Sequence, residues 1–376
     1  MTAVRRILIV GGGIGGLSAA IALGRLGLEV DLVEKNARWE VYGVGIIQPG
    51  NALRALDQLG VATECVAQGH PILGMRSWLA DATTLLHDDS FPPAVPGLPP
   101  GNGITRRRLH DILLPAARES GAHIRTGVTV STLDDRPDAV HVGFSDGREG
   151  AYDLVVAADG LHSQIRDMVF GSGFGPRFTG QVCWRYNLPR IPELDRLWVY
   201  RGSRGTAGFC PLAPDLMYML TIEKVPEGQP VRLPRAGLAA VYRQRLAEYG
   251  GPIAEHRELI RDDDQVVYRP VENIILPPPW YRGRVVVIGD AAHGTSPHCG
   301  QGGAQAIEDG VVLAEELGKG IPVPDALENY MRRRYDRCRT IVEGSEAIGR
   351  WEQDRSVDID PDAVALQVTV AAMAPL

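Results

Sequence analysis

The sequence predicts an α/β fold: a parallel-sheet domain that carries an inserted antiparallel β-sheet and ends in C-terminal helices. Three observations predict it. Ile7-Leu8-Ile9-Val10 is a continuous apolar run, a glycine cluster follows, and Leu17, Ala20, Ile21, Leu23 and Leu26 recur at helical spacing up to Gly27. Between Gly180 and Tyr268 the texture changes to short β-prone runs punctuated by prolines. Arg284 to Ile288 then returns to the buried-strand pattern, and the chain from Val323 onward reads as helices.

The elements follow in order. Glu29 to Glu34 reads as a second strand, closing a βαβ unit within the first thirty-odd residues. Ala52 to Leu59 reads as a helix ending at Gly60. Arg107 to Glu119 reads as another, with Thr105 as N-cap and Gly121 past its end. Ile124 to Leu133, Ala139 to Phe144 and Tyr152 to Ala157 read as strands, with Asp146-Gly147 turning between the last two. In the insert, Val182 to Leu188, Leu197 to Arg201, Gly208 to Cys210 and Leu216 to Glu223 read as strands, and Leu238 to Tyr249 as one helix. The expected boundaries are 1–75, 101–179 and 269–376 for the parallel-sheet domain, and 76–100 with 180–268 for the inserted sheet.

At 376 residues there is material for about two domains. Hydrophobic residues at 44% and charged residues at 23% exclude disorder as the main state. The net charge of −7, with no basic cluster beyond Arg106-Arg107-Arg108 and Arg332-Arg333-Arg334, argues against nucleic acid as partner. Each of those runs reads as a solvated helix face or a local anion contact. The five cysteines form no C-x-x-C pair, so neither a disulfide framework nor a metal cluster is expected. Arg5-Arg6 before Ile7 imitates a signal peptide, but Gly11 to Gly16 would interrupt its apolar region. No apolar run reaches the length of a membrane span, and a cytoplasmic setting without membrane contact is expected.

Three motifs carry chemistry. Gly11-x-Gly13-x-x-Gly16 lies between a predicted strand and helix, with Glu34 about twenty residues on and Lys35 beside it. Gly11 permits the turn, Gly13 lets the backbone approach a pyrophosphate, Gly16 permits close helix packing, and Glu34 suits a ribose diol. Such a Rossmann-like unit binds NAD or FAD, and the pattern alone separates neither. Asp159-Gly160 to Arg166 follows the strand Leu154 to Val156; it reads as a ligand-facing loop or as a helix cap made by Asp159 or Ser163. Gly289-Asp290-Ala291-Ala292-His293, then Pro297 and Gly300-Gln301-Gly302-Gly303, follow the strand Val285 to Ile288. There Asp290 could take a sugar-alcohol hydroxyl, and the backbone N–H groups near Gly302 and Gly303 could hold an anion.

In order, spacing and identity these stretches resemble the class A flavoprotein monooxygenases, the para-hydroxybenzoate hydroxylase fold. The resemblance runs from about Arg6 to Arg350 and includes Gly43-Val44-Gly45-Ile46, Asn51-Ala52 and Thr105-Arg106. It is nearest to single-component members such as the salicylate, 6-hydroxynicotinate and urate hydroxylases. Two details depart from it: Ala304 stands where many members have asparagine, and Pro49-Gly50 inverts the usual order.

The resemblance implies a Rossmann-like FAD-binding domain roofed by a substrate-binding sheet. Gly11, Gly13 and Gly16 would sit by the FAD pyrophosphate, Glu34 by the adenosine ribose, and Arg106 by the phosphates or ribityl chain. Asp159 would serve FAD and a visiting NAD(P)H, and Asp290 the ribityl hydroxyls. Pro297 would lie beside the isoalloxazine, with Gly302 and Gly303 near its pyrimidine edge. No second G-x-G-x-x-G exists, which suits a reductant that visits and leaves. The implied reaction hydroxylates a small electron-rich aromatic or N-heteroaromatic compound through a flavin C4a-hydroperoxide, consuming O2 and NAD(P)H.

The substrate side is less legible. Arg185, Tyr186, Tyr200, Cys210 and Tyr218 lie on predicted strands, whose alternation turns about half of them toward the flavin. His298, next to Pro297, is a candidate base; His293 reads as structural. An oxidase or epoxidase on the same fold is the main alternative. A halogenase is a second, because Trp184-Arg185-Tyr186-Asn187-Leu188-Pro189 partly matches a W-x-W-x-I-P signature. A monomer or homodimer is expected.

Overall fold

The computed structural model describes residues 4–39, 44–227 and 231–376. Gly43, part of the motif ending at Ile46, lies outside them.

The βαβ pattern builds a six-stranded sheet. Its order is Tyr281–Arg282, Val285–Val287, Leu154–Ala157, Arg6–Val10, Glu29–Glu34 and His123–Thr126. All pairs are parallel except the one at the edge strand Tyr281–Arg282. Ile9 pairs with Val156 on one side and Leu32 on the other. Ile7, Leu8 and Ile9 are wholly buried, which is why the strand is apolar without alternation. The helices Ile14–Gly24 and Gly302–Gly318 pack together. A Cβ at Gly310 would stand 2.6 Å from the Ala19 nitrogen, so glycine sets the depth of that contact.

The expected strand Ile124 to Leu133 is two strands. His123–Thr126 closes the parallel sheet, Gly127 turns with φ +74°, and Val130–Asp135 joins an antiparallel sheet with Val140–Phe144 and Glu149–Tyr152. A change of sheet leaves hydropathy continuous, so the pattern did not show the break. The helices at Ala52 and Arg107 form as Gly50–Gln58 and Arg106–Glu119; Thr105 Oγ1 accepts the Arg108 N–H at 3.2 Å.

A seven-stranded sheet faces the first domain. Its order is Val267–Asn273, Arg177–Pro189, Leu216–Lys224, Gly205–Ala213, Leu197–Arg201, Gly74–Leu79 and Leu85–Ser90. All pairs are antiparallel except Leu197–Arg201 with Gly74–Leu79. The single helix expected over Leu238 to Tyr249 is Leu238–Arg245 with a 3₁₀ turn at Leu246–Glu248; Gly251–Arg257 follows as a second helix. These pack on the sheet's outer face, where the Trp184 and Tyr242 rings stack 5.2 Å apart.

The long helix Val323–Gln353 ties the two parts together. Its start packs on Gly302–Gly318, and at its end Gln353 Nε2 donates to the Thr179 carbonyl at 3.1 Å. Among the described residues, no helix is long and apolar enough to cross a membrane.

Candidate functional site

The first βα turn is built by glycines with different duties. A Cβ at Gly11 (φ +108°) would stand 2.4 Å from the Ala158 carbonyl oxygen, and one at Gly16 would stand 1.9 Å from the Gly11 oxygen. Both hold the backbone tight. Gly13, the N-cap of the helix Ile14–Gly24, is different: a Cβ there would meet no protein atom within 4 Å. It borders a cradle of backbone N–H groups at a helix start, the geometry that receives a phosphate. Glu34 is buried and braces this turn, its Oε2 accepting the Gly12 N–H and its Oε1 the Asn36 N–H, both at 2.9 Å. Each oxygen keeps a second acceptor position, and Glu34 lines the cavity described below. Lys35 is exposed and does not line it.

Asp159 performs the capping role rather than facing the cavity. Its Oδ1 accepts the Ser163 hydroxyl at 2.5 Å and its Oδ2 the Ile165 N–H at 3.1 Å, while Ser163 Oγ caps Gln164–Phe170 through the Arg166 N–H. Burial pushes the Asp159 carboxyl above its ordinary range, against those hydrogen bonds. Its neighbours Ala158, Gly160 and Leu161 do line the cavity. The buried Arg166 guanidinium donates to the carbonyls of Leu161 and Ala291 at 2.9 and 3.0 Å, joining the second motif to the third.

At the third motif, Gly289 turns with φ +61° and Asp290 is exposed at the cavity edge. The helix Gly302–Gly318 opens there, with Pro297 and Gly300 to Gly303 on the wall. A buried charge network that the sequence reading missed holds this turn. Asp309 Oδ2 accepts the Gly289 N–H at 2.7 Å and pairs with His293 Nε2 at 2.6 Å; its Oδ1 pairs with Arg334 Nε at 2.8 Å. Arg334 also reaches Glu308 at 2.5 Å, and Glu308 accepts from Asn51, which bonds Gln301 in turn. Burial works against the His293 charge, yet Cys338 and Asp309 hold it well above the usual range. Burial likewise opposes the Asp309 charge, and His293 with Arg334 outweighs it, keeping the carboxyl low. The only sequence signal was two acids inside an apolar helix, Glu308-Asp309, with an arginine run downstream. Of that run, Arg334 is wholly buried, whereas Arg332 is exposed.

These motifs form one wall of a cavity of about 600 Å³. The opposite wall is the inner face of the seven-stranded sheet, with Cys183, Arg185, Tyr218 and Leu220 on two adjoining strands and Arg269 to Glu272 on the edge strand Val267–Asn273. Registry explains the set, since Arg185 pairs with Leu220 and Asn187 with Tyr218, placing them on one face. Tyr186 and Tyr200 lie on the other face, in the core with Trp184, Phe209 and Tyr242. Cys210 shares the inner face but is buried against Tyr218 and Leu212 and does not line the cavity. Burial raises the Tyr218 hydroxyl well above its usual range, and Cys210 adds to this. Arg106 lines the cavity where its helix begins.

His298 does not reach this cavity. Its Nδ1 lies 2.8 Å from Ser296 Oγ, and its Nε2 lies 3.3 Å from Glu352 of the long helix. Burial opposes the Glu352 charge, and His298 and Thr206 hold that carboxyl below its usual range. The Trp184 and Tyr186 positions of the halogenase-like stretch also face away from the cavity.

The residues present fit FAD: a phosphate cradle at Gly13 that a Cβ would fill, a carboxylate at Glu34 and a guanidinium at Arg106. The comparisons agree with that chemistry. The FAD binding domain family matches residues 5–345. The chain is 33% identical over 360 residues to the 2-heptyl-3-hydroxy-4(1H)-quinolone synthase of Pseudomonas aeruginosa, covering 93% of this chain and 91% of that one. It is 32% identical over 357 residues to the 3-amino-4-hydroxybenzoate 2-monooxygenase of Streptomyces platensis, covering 92% and 87%. The crystal structure of Klebsiella pneumoniae HpxO with FAD and uric acid superposes with a TM-score of 0.85 at 25% identity, covering 99% of this chain and 97% of that one. A chain whose three cofactor motifs converge on one cavity, and which matches these proteins over nearly its whole length, belongs to the FAD binding domain family as an FAD-dependent monooxygenase.

Proposed function

We propose that this monooxygenase hydroxylates a small electron-rich aromatic or N-heteroaromatic ring held between FAD and the sheet residues Cys183, Arg185, Tyr218 and Leu220. One observation carries the reading: the cofactor motifs and this sheet face are opposite walls of a single cavity. The relatives support the ring chemistry, since their names specify a quinolone, an aminohydroxybenzoate and uric acid.

Bound FAD supplies the chemistry, passing two electrons from NAD(P)H to O2 so that one oxygen atom enters the ring and the other leaves as water. The protein binds and shields. Gly11, Gly13 and Gly16 shape the pyrophosphate seat, Glu34 takes the ribose, and Arg106 and Asp290 take the phosphate–ribityl stretch. Backbone N–H groups at Gly302 and Gly303, at the helix start on the cavity wall, would stabilise negative charge on the flavin ring. Pro297 and Leu220, apolar side chains on the two walls, would help keep water from the reacting face. Asp159 acts by shaping its loop. In this reading 1–75, 101–179 and 269–376 form the cofactor domain, and 76–100 with 180–268 the substrate domain.

The test follows NADH and NADPH oxidation by the FAD-loaded protein against hydroxylated aromatic acids and N-heteroaromatics, with mass spectrometry of the products. A substrate-stimulated rate with a product one oxygen heavier is expected. Peroxide alone, or oxidation without oxygen insertion, would move the reading to an oxidase; a chlorinated product would move it to a halogenase.

A further inference from the structure

A second cavity, of about 220 Å³, lies along the free edge of the seven-stranded sheet. The edge strand Val267–Asn273 borders this cavity and the first one. Val267 pairs with Arg185 and Arg269 with Cys183, and residues paired across strands share a face. Arg185 and Cys183 line the first cavity, Val267 lines the second, and Arg269 lines both. The second cavity therefore begins one strand away from the place proposed for the substrate ring.

Its lining is mostly apolar. Leu233 and Leu238 close it from beyond the sheet edge, and Val266 and Val267 from the strand side. Tyr268 adds a ring that is held in place by Trp184, with 4.3 Å between centroids. The charges of Arg235 and Asp264 are exposed and satisfy each other: Arg235 Nε donates to Asp264 Oδ1 at 2.5 Å, and its Nη2 to the Asp264 carbonyl at 2.7 Å. An apolar floor with a self-neutralised charged rim suits hydrocarbon better than an anion or a sugar. Interiors seldom leave aliphatic side chains around so large a void, because their dispersion contacts are forfeited. At about 30 Å³ for each water-sized group, the volume takes about seven of them.

We infer that the substrate ring carries an unbranched apolar side chain, which runs from the ring's place beside Arg185 past Val267 into this second cavity. The ring stays against the flavin, and the chain sets the affinity. The volume limits the chain to about seven carbons. Each methylene buried on the way contributes about fourfold in affinity. The inference rests on the proposed hydroxylase site and names its substrate class.

The experiment titrates the FAD-loaded protein with two homologous series, alkylphenols and alkyl-hydroxyquinolines with chains from methyl to nonyl, and reads the flavin absorbance change. In at least one series the Kd should fall by about fourfold per methylene and level off near seven carbons. Val267→Phe fills the cavity from the strand side and Leu233→Trp from the other side. FAD affinity and melting temperature are measured first, so that the series is read on whichever variant is folded. Either substitution should flatten the dependence on chain length. Methyl members that bind, with no gain from longer chains, would overturn the inference and leave the hydroxylase site standing. A gain that survives in both variants would place the chain elsewhere and also overturn it. So would variants that raise the KM for NADH or NADPH while chain length has no effect, since the cavity would then serve the visiting reductant. A wild type that binds no member of either series, short or long, would overturn the proposed ring site and the inference with it.

Discussion

Arg334 Nε lies 2.8 Å from Asp309 Oδ1, while the other oxygen of the same carboxylate accepts the Gly289 backbone N–H at 2.7 Å. A side chain of the long helix Val323–Gln353 thus fixes the turn that presents Asp290 to the cavity. Both partners are wholly buried. Removing one member of such a pair strands the other and costs about 3–5 kcal/mol. Arg334→Met should lower the urea midpoint accordingly and weaken FAD binding, because Gly289 and Gln301 lose their common anchor. Denaturation curves and FAD titration check both effects; unchanged FAD affinity would confine the network to stability.

The His293–Asp309 pair gives stability a pH dependence with a definite sign. The His293 pKa is raised well above its ordinary value on folding. Its contribution is therefore complete below about pH 6.5, the unfolded value, and is lost as pH rises through the folded pKa. Asp309 is shifted downward, so its contribution is present above the unfolded carboxyl value and lost as acid reaches the folded one. The stability gap between wild type and His293→Gln should be widest near pH 6 and narrow at alkaline pH. Urea unfolding at both ends of that range measures it.

Gly13 and Gly16 separate cofactor binding from folding. At Gly13 a methyl group meets no protein atom within 4 Å, whereas at Gly16 it would stand 1.9 Å from a backbone oxygen. Gly13→Ala should fold and melt like the wild type without FAD, yet bind FAD at least about tenfold more weakly by blocking backbone approach to the pyrophosphate. Gly16→Ala should fail to fold or lose several kcal/mol, as backbone overlap does. Calorimetry with and without FAD tells the two apart.

Much of this architecture was readable because parallel strands write themselves as unbroken apolar runs. Ile7 to Val10 and Val285 to Ile288 are buried on both faces, and the glycine turns after them are fixed by close backbone contacts. What the sequence withheld was orientation. Asp159, Lys35 and His298 stand within or beside the right motifs, but their side chains are settled by Ser163, by solvent and by Glu352. Ser163 is four residues from Asp159, and capping there was one of the two readings the local sequence offered, whereas Glu352 comes from the distant long helix and no local spacing encodes it.

His298 is accordingly a test of placement. Held between Ser296 and Glu352, it should matter for stability rather than for proton transfer. His298→Asn should cost about 1–3 kcal/mol by leaving a buried partner unsatisfied. The pH profile of turnover should keep its shape. A profile that loses one limb, with stability unchanged, would restore His298 as a base.

The tyrosines of the inserted sheet make the same point through register. Tyr218 pairs with Asn187, two residues from Arg185, and so faces the cavity; Tyr186 and Tyr200 alternate onto the opposite face. There the Tyr186 hydroxyl accepts from the backbone of Arg261 and Asp262 at 3.5 and 3.4 Å, and the Tyr200 ring stacks 5.1 Å from Trp78. Tyr218→Phe should raise KM or lower kcat while leaving the melting temperature nearly unchanged, since the ring and its packing remain. Tyr200→Ala should behave in the opposite way, costing about 3–5 kcal/mol of stability as a large aromatic cavity does. Its KM should stay at the wild-type value wherever the protein is folded. Steady-state kinetics beside thermal melts distinguish the two faces. A KM effect at Tyr200 without destabilisation would mean that substrate reaches the outer face of the sheet.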